Sequence, residues 1–168
     1  MNDFQNTETV NLWIIGYGNP HRRDDGIGPQ VADQLKRRFG GVGGVNMMSL
    51  HQLGPELAED LREATGVIFI DAAQGPLPIG CSWSKIRPVL GMHRIAHSLN
   101  ANALLGLTRL LYNRCPPAWM VSVEGSDFSF GEGLSKAAAD RANRATGEIA
   151  RVINCSLFST TFIQGLPA

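Results

Sequence analysis

Two short apolar runs constrain this chain more than any other feature. Residues 10–15, Val-Asn-Leu-Trp-Ile-Ile, and residues 67–70, Val-Ile-Phe-Ile, are rich in β-branched and aromatic side chains. Each stops abruptly, the first on Gly16-Tyr17-Gly18-Asn19-Pro20 and the second on Asp71. A short, largely apolar run of this kind, bounded by turn residues, predicts a buried strand. Such strands belong in a parallel sheet that helices cover from either side.

Covering helices are legible between the runs. From Gly28 onward Val31, Leu35 and Phe39 recur every four residues, and the glycines at 40, 41, 43 and 44 end the pattern. Residues 45–50 offer a second, weaker strand. Gly54-Pro55 opens a helix with Leu57, Leu61 and Ala64 on one face, because a proline in the first turn lacks only an N–H that would have no partner there. Residues 81–86 set Trp83 and Lys85 against smaller neighbours, which predicts a half-exposed edge strand. Asn100 is placed to cap a helix over 101–112 carrying Leu104, Leu107 and Leu111, and Pro116-Pro117 forbids its continuation. Residues 119–123 are the last strand. Ser135 caps a final helix in which Ala138, Ala142, Ala145, Ile149 and Val152 keep a 3.6-residue period. The expected organisation is one domain over 1–168, with 1–9 a loose polar tail and 155–168 a second tail without periodicity.

Composition removes whole classes of function. Fifteen basic side chains balance fifteen acidic ones, so the chain lacks the excess that neutralises phosphates, and a nucleic-acid partner is not expected. No run approaches the 18 or so apolar residues of a membrane span, and the amino end has no secretory pattern, so a cytoplasmic protein is expected. Three scattered cysteines, Cys81, Cys115 and Cys155, form no Cys-x-x-Cys pair and read as bystander thiols.

The densest chemistry follows the first strand: Gly16-Tyr-Gly18-Asn19-Pro-His-Arg-Arg-Asp24-Asp25-Gly26-Ile-Gly28. A dinucleotide loop would need a glycine where His21 stands, and two adjacent aspartates would repel the pyrophosphate at the helix start. Two neighbouring carboxylates cannot point the same way. Asp24 is expected to cap the next helix and Asp25 to face inward, so Asp24→Ala should be milder than Asp25→Ala. In open α/β sheets ligands bind where the carboxyl ends of neighbouring strands part, and if the first and third strands are neighbours that crevice lies between Gly16 and Asp71. Asp71, ending an apolar strand there, needs a cation or strong donors. His21 and His51 lie in turns with no acidic companion. His97, just before the 101–112 helix, can hang over the same edge; His93 is its rival. Two carboxylates and an imidazole would form an oxygen- and nitrogen-rich site for a divalent metal.

Gly18-Asn19 followed by Asp24-Asp25-Gly26-Ile27-Gly28 resembles the signature of the hydrogenase maturation proteases, and the order of the later residues agrees. The resemblance runs from about residue 10 to residue 152 and includes Gly125, Phe128 and Gly131-Glu132-Gly133-Leu134. It implies a three-layer α/β/α sandwich of the phosphorylase/hydrolase-like kind around a mixed, mostly parallel five-stranded sheet, with 81–86 antiparallel. The activity it implies is an endopeptidase, often grouped with aspartic-type peptidases, that trims the carboxyl end of a nickel-iron hydrogenase large-subunit precursor. It also implies nickel, carried by that precursor and held by Asp25, Asp71 and His97. Many members have glutamate at the first of these positions, so with the shorter aspartate the loop or the metal must sit closer. The alternative is a chaperone that holds the same metal centre without cutting. Residues 128–134 are expected to border the site. His97 is expected to set the acid limb of activity, with the carboxylates ionised throughout.

Overall fold

The computed structural model describes residues 10–89 and 99–158, apart from the side chains of 156–158. The elements in chain order are β1 (Leu12–Tyr17), α1 (Ile27–Phe39), β2 (Val45–Leu50), α2 (Leu57–Leu61), β3 (Gly66–Gln74), β4 (Cys81–Ile86), α3 (Ala101–Tyr112), β5 (Ala118–Gly125) and α4 (Lys136–Phe158). Two short 3-10 turns, Arg23–Gly26 and Pro78–Gly80, precede α1 and β4.

Strand order across the sheet is β2-β1-β3-β5-β4. Every pairing is parallel except β4 with β5, so the 81–86 segment is the antiparallel edge. The first and third strands are neighbours, in register from Leu12↔Gly66 to Gly16↔Ile70. Because side chains alternate along a strand, each face has its own residue set. Leu12, Ile14, Ile68, Ile70, Trp119, Val121 and Val123 pack under α1 and α4, whereas Ile15, Val67, Phe69 and Ala118 pack under α2 and α3. The result is the expected mixed α/β/α sandwich. Its layers are held by fully buried Ile, Leu, Phe and Trp side chains, each contributing about 1.5–3 kcal/mol.

Several boundaries differ from those the sequence predicts. β1 begins at Leu12 rather than at residue 10. Asn11 is taken by a side tie, its N–H donating to Thr65 Oγ1 at 3.0 Å and its carbonyl accepting from Thr65 N–H at 2.9 Å. The strand also passes through Gly16, because β2 pairs with it as far as Tyr17↔Leu50. β3 does not stop at Asp71 either. It loses β1 after Ile70 but keeps β5 as partner to Gln74↔Gly125, so ladder hydrogen bonds carry it beyond its apolar run. α2 is a short helix, while α4 runs through Cys155 to Phe158 instead of giving way to a tail at 155. Asn100 caps α3 as expected, its Oδ1 accepting from Ala103 N–H at 2.9 Å, but the helix ends on Asn113 in a left-handed conformation before the prolines are reached. Among the described residues, no helix is long and apolar enough to cross a membrane.

Candidate active site

The site edge begins with a packing constraint. A side chain at Gly16 would collide with the Gly28 carbonyl, and one at Gly18, whose φ is +143°, with the Asp25 carbonyl. The two glycines therefore let the 3-10 turn and the start of α1 lie directly on β1. Tyr17 is forced to the opposite face, over α2 and α3, with the same parity as Trp13 and Ile15.

Asp71 shares that face. Its parity is that of Val67 and Phe69, and it leaves the β1 ladder one residue past the Gly16↔Ile70 pair, beside Tyr17. The Tyr17 hydroxyl hydrogen-bonds to the Asp71 carboxylate, which also accepts from the Ala72 backbone N–H. Burial pushes Asp71 up to about 6 against an ordinary 3.8; the two donors oppose the rise and the negative charge of Asp25 adds to it. Burial and the Asp71 charge push the Tyr17 phenol upward as well, so it stays a protonated donor.

Asp25, in the 3-10 turn, is half-buried and accepts the Asn19 backbone N–H at 2.9 Å. Asp25 thus lies in the turn that follows β1 and Asp71 on the neighbouring β3, and the charge of Asp25 is felt at Asp71. Among the described residues neither has a basic group within ion-pair distance, whereas nearby Glu124 is matched by Arg141 at 2.6 Å. Two carboxylates that feel each other's charge and lack a counter-charge favour a cation or a retained proton. The two carboxylates are oxygen donors of the kind a divalent metal takes, but among the described residues no group of three or more His, Cys, Asp or Glu side chains is assembled to hold one.

His97, the third predicted ligand, lies outside the described residues, as does His93. The flanking chain is placed: Leu99 bridges Leu53, and Asn100 starts α3 on the face that bears Asp71. His21 and His51 are exposed, and His21 lies 3.7 Å from Glu132.

Asp24 departs from expectation. It caps no residue of α1, whose start has no side-chain cap. Instead it is fully buried and accepts the N–H groups of Ser126 (2.8 Å), Asp127 (2.9 Å) and Ser135 (2.7 Å) and the Ser135 hydroxyl (2.8 Å). Burial alone would raise its pKa, but these hydrogen bonds hold it below the ordinary value. Ser135 in turn caps α4 through Ala138 N–H at 3.3 Å. Asp24 therefore ties the first loop to the 126–135 segment. That tie is extended by Arg23 N–H to the Gly131 carbonyl (3.1 Å), Gly131 N–H to the His21 carbonyl (2.9 Å) and Arg22 to the Phe128 carbonyl (3.3 Å). Residues 128–134 accordingly border the loop that carries Asp25.

Sequence reasoning missed Tyr17, treating it as the variable position between two glycines. Strand parity could have found it, since Trp13, Ile15 and Tyr17 alternate onto one face. The expectation that both carboxylates titrate near 4 is also corrected: burial lifts Asp71 into the range of histidine.

No family model and no curated protein matches the chain. Solved structures do. The maturating endopeptidase HybD of Escherichia coli is 16% identical, with 88% of this chain and 94% of that one covered at a TM-score of 0.70. The [NiFe] hydrogenase maturation protease HycI of Thermococcus kodakarensis KOD1 is 21% identical, covering 84% and 91% at 0.65. A hydrogenase 2 maturation peptidase from a Thaumarchaeota archaeon is 19% identical, covering 86% and 98% at 0.62. At these identities the likeness is one of fold, and the chain has the α/β/α fold of the hydrogenase maturation proteases.

Proposed function

We propose that this chain is an endopeptidase that removes a short carboxyl-terminal peptide from the nickel-loaded precursor of a nickel-iron hydrogenase large subunit. The observation that supports this reading is a fold shared with maturation endopeptidases, with Asp25 in the turn after β1 and Asp71 on the neighbouring β3, both without a counter-charge among the described residues.

In this reading the precursor brings nickel as part of the substrate, and Asp25, Asp71 and His97 grip it. Gripping fixes the scissile peptide against the carboxyl ends of β1 and β3, which turns cleavage into a reaction between held groups. The ion supplies Lewis acidity toward a carbonyl or a water. Asn19 N–H holds Asp25 in place, and the Tyr17 hydroxyl with Ala72 N–H holds Asp71.

A second reading rests on one observation. Burial raises Asp71 to about 6, with a smaller addition from the charge of Asp25, which suits one carboxyl that protonates the leaving amine and a second carboxylate that activates water. Precursor prepared with and without nickel separates the readings. Shortening of the loaded form alone, followed by mass spectrometry, is the expected result. Equal shortening of both forms removes the metal grip and leaves the acid pair. Stable binding of the loaded form without any loss of mass makes the protein a chaperone.

A further inference from the structure

We infer that Tyr17 is a positioning residue, its phenol fixing the Asp71 carboxylate in the orientation that meets a metal centre held jointly with Asp25. The inference rests on the proposed function and adds a group to it.

Backbone placement carries the argument. Tyr17 is held on one side by β2, with the pair Tyr17↔Leu50 and a bond from Gly18 N–H to the Leu50 carbonyl at 3.1 Å. Below it, carbonyls of Gly28 and Asp25 fill the spaces where side chains at Gly16 and Gly18 would lie. The intervening side chain has one way out, onto the face of Asp71, and the register ending at Gly16↔Ile70 sets the two residues side by side. Its ring packs at the margin of the apolar layer under α2 and α3, while its hydroxyl reaches the carboxylate.

The hydroxyl cannot be explained by packing. A phenylalanine would fill the same apolar volume without bringing a polar atom into a half-buried place. With the phenol and the Ala72 N–H as donors, Asp71 is held in one orientation, and a carboxylate with two donors keeps lone pairs free for a further partner. Partners of this kind, which orient a metal-binding carboxylate without touching the metal, typically alter affinity or activity by about 10–100-fold when removed.

Tyr17→Phe keeps the ring and deletes the hydrogen bond. Binding of Ni(II) from solution to the full chain would be titrated calorimetrically for the wild type, Tyr17→Phe and Asp71→Asn, alongside kcat and KM on nickel-loaded precursor and the thermal midpoint. The expected result is Ni(II) binding weakened about tenfold in Tyr17→Phe and lost in Asp71→Asn, with kcat down about tenfold, KM within twofold and the midpoint within about 2 °C. Wild-type affinity and kcat in Tyr17→Phe, with both lost in Asp71→Asn, overturn the inference and leave the proposed function standing. A fall in midpoint with unchanged affinity makes Tyr17 structural and overturns it too. Absence of both nickel binding and processing in the wild type defeats the proposed function, and the inference with it.

Discussion

Asp24 and Asp25 are adjacent in the chain and opposite in physics. Asp24 has no exposed surface and four donors, so its charge is satisfied and its carboxylate is a rivet between the first loop and the start of α4. Asp25 is half-buried, takes the Asn19 backbone N–H and adds its negative charge to the surroundings of Asp71. One carboxylate has its electrostatic needs met inside the fold. The other pair has them left open, at a cost in stability that a bound cation would recover. Stability and function are thereby separated between consecutive residues.

The sharpest way to break this contrast is to remove the open pair. Asp25→Ala and Asp71→Ala are each expected to lower processing of nickel-loaded precursor at least about 1,000-fold, the loss of an interaction of some 4 kcal/mol made at the reacting centre. Their circular dichroism should match the wild type. Retained activity in either variant removes that residue from the site.

Asp24→Ala tests the other half. Rather than the milder variant that capping alone implies, it leaves three part-buried N–H groups and a hydroxyl without the carboxylate they share, and is expected to cost about 2–4 kcal/mol in urea unfolding. Activity should fall only as far as the loosened loop releases Asp25. A cost below about 1 kcal/mol would mean that water satisfies the 126–135 segment equally well.

Asp71→Asn should act in the reverse direction on stability. Because the folded-state pKa of Asp71 is raised to about 6, its ionised form disfavours the fold at neutral pH, and that penalty fades as pH falls from about 6 to about 4. An inactive Asn variant is therefore expected to be more stable by about 1–2 kcal/mol at pH 7, with the gain gone by about pH 4. A gain unchanged at pH 4 would assign the effect to packing.

The smallest expected effect is the acid dependence of Asp24. Its folded pKa lies below the ordinary value, so its contribution to stability is complete above about pH 4 and is lost as pH falls through the folded pKa. Wild-type stability should accordingly decline below about pH 4 more steeply than that of Asp24→Asn, measured by urea midpoints across pH 2 to 6.

Much of this protein is local and hence legible. Periodicity places β2, β4 and α3 at their observed limits, and the glycine-rich turn and its two aspartates stand out because strand-to-helix turns need those residue types. Asp71 is conspicuous as a charge beside an apolar run. Tertiary structure decided the rest. β3 continues to Gln74 because β5 is there to pair with it, which no property of Ala72 or Ala73 announces. Asp24 becomes a rivet because the 126–135 segment, more than a hundred residues away, presents its N–H groups to that one carboxylate. Tyr17 meets Asp71, and Asp71 is lifted toward neutrality, only once β1 and β3 lie side by side under the α2 and α3 layer. Strand and helix propensities depend on neighbours a few residues apart, whereas burial, hydrogen-bond satisfaction and charge coupling depend on neighbours in space.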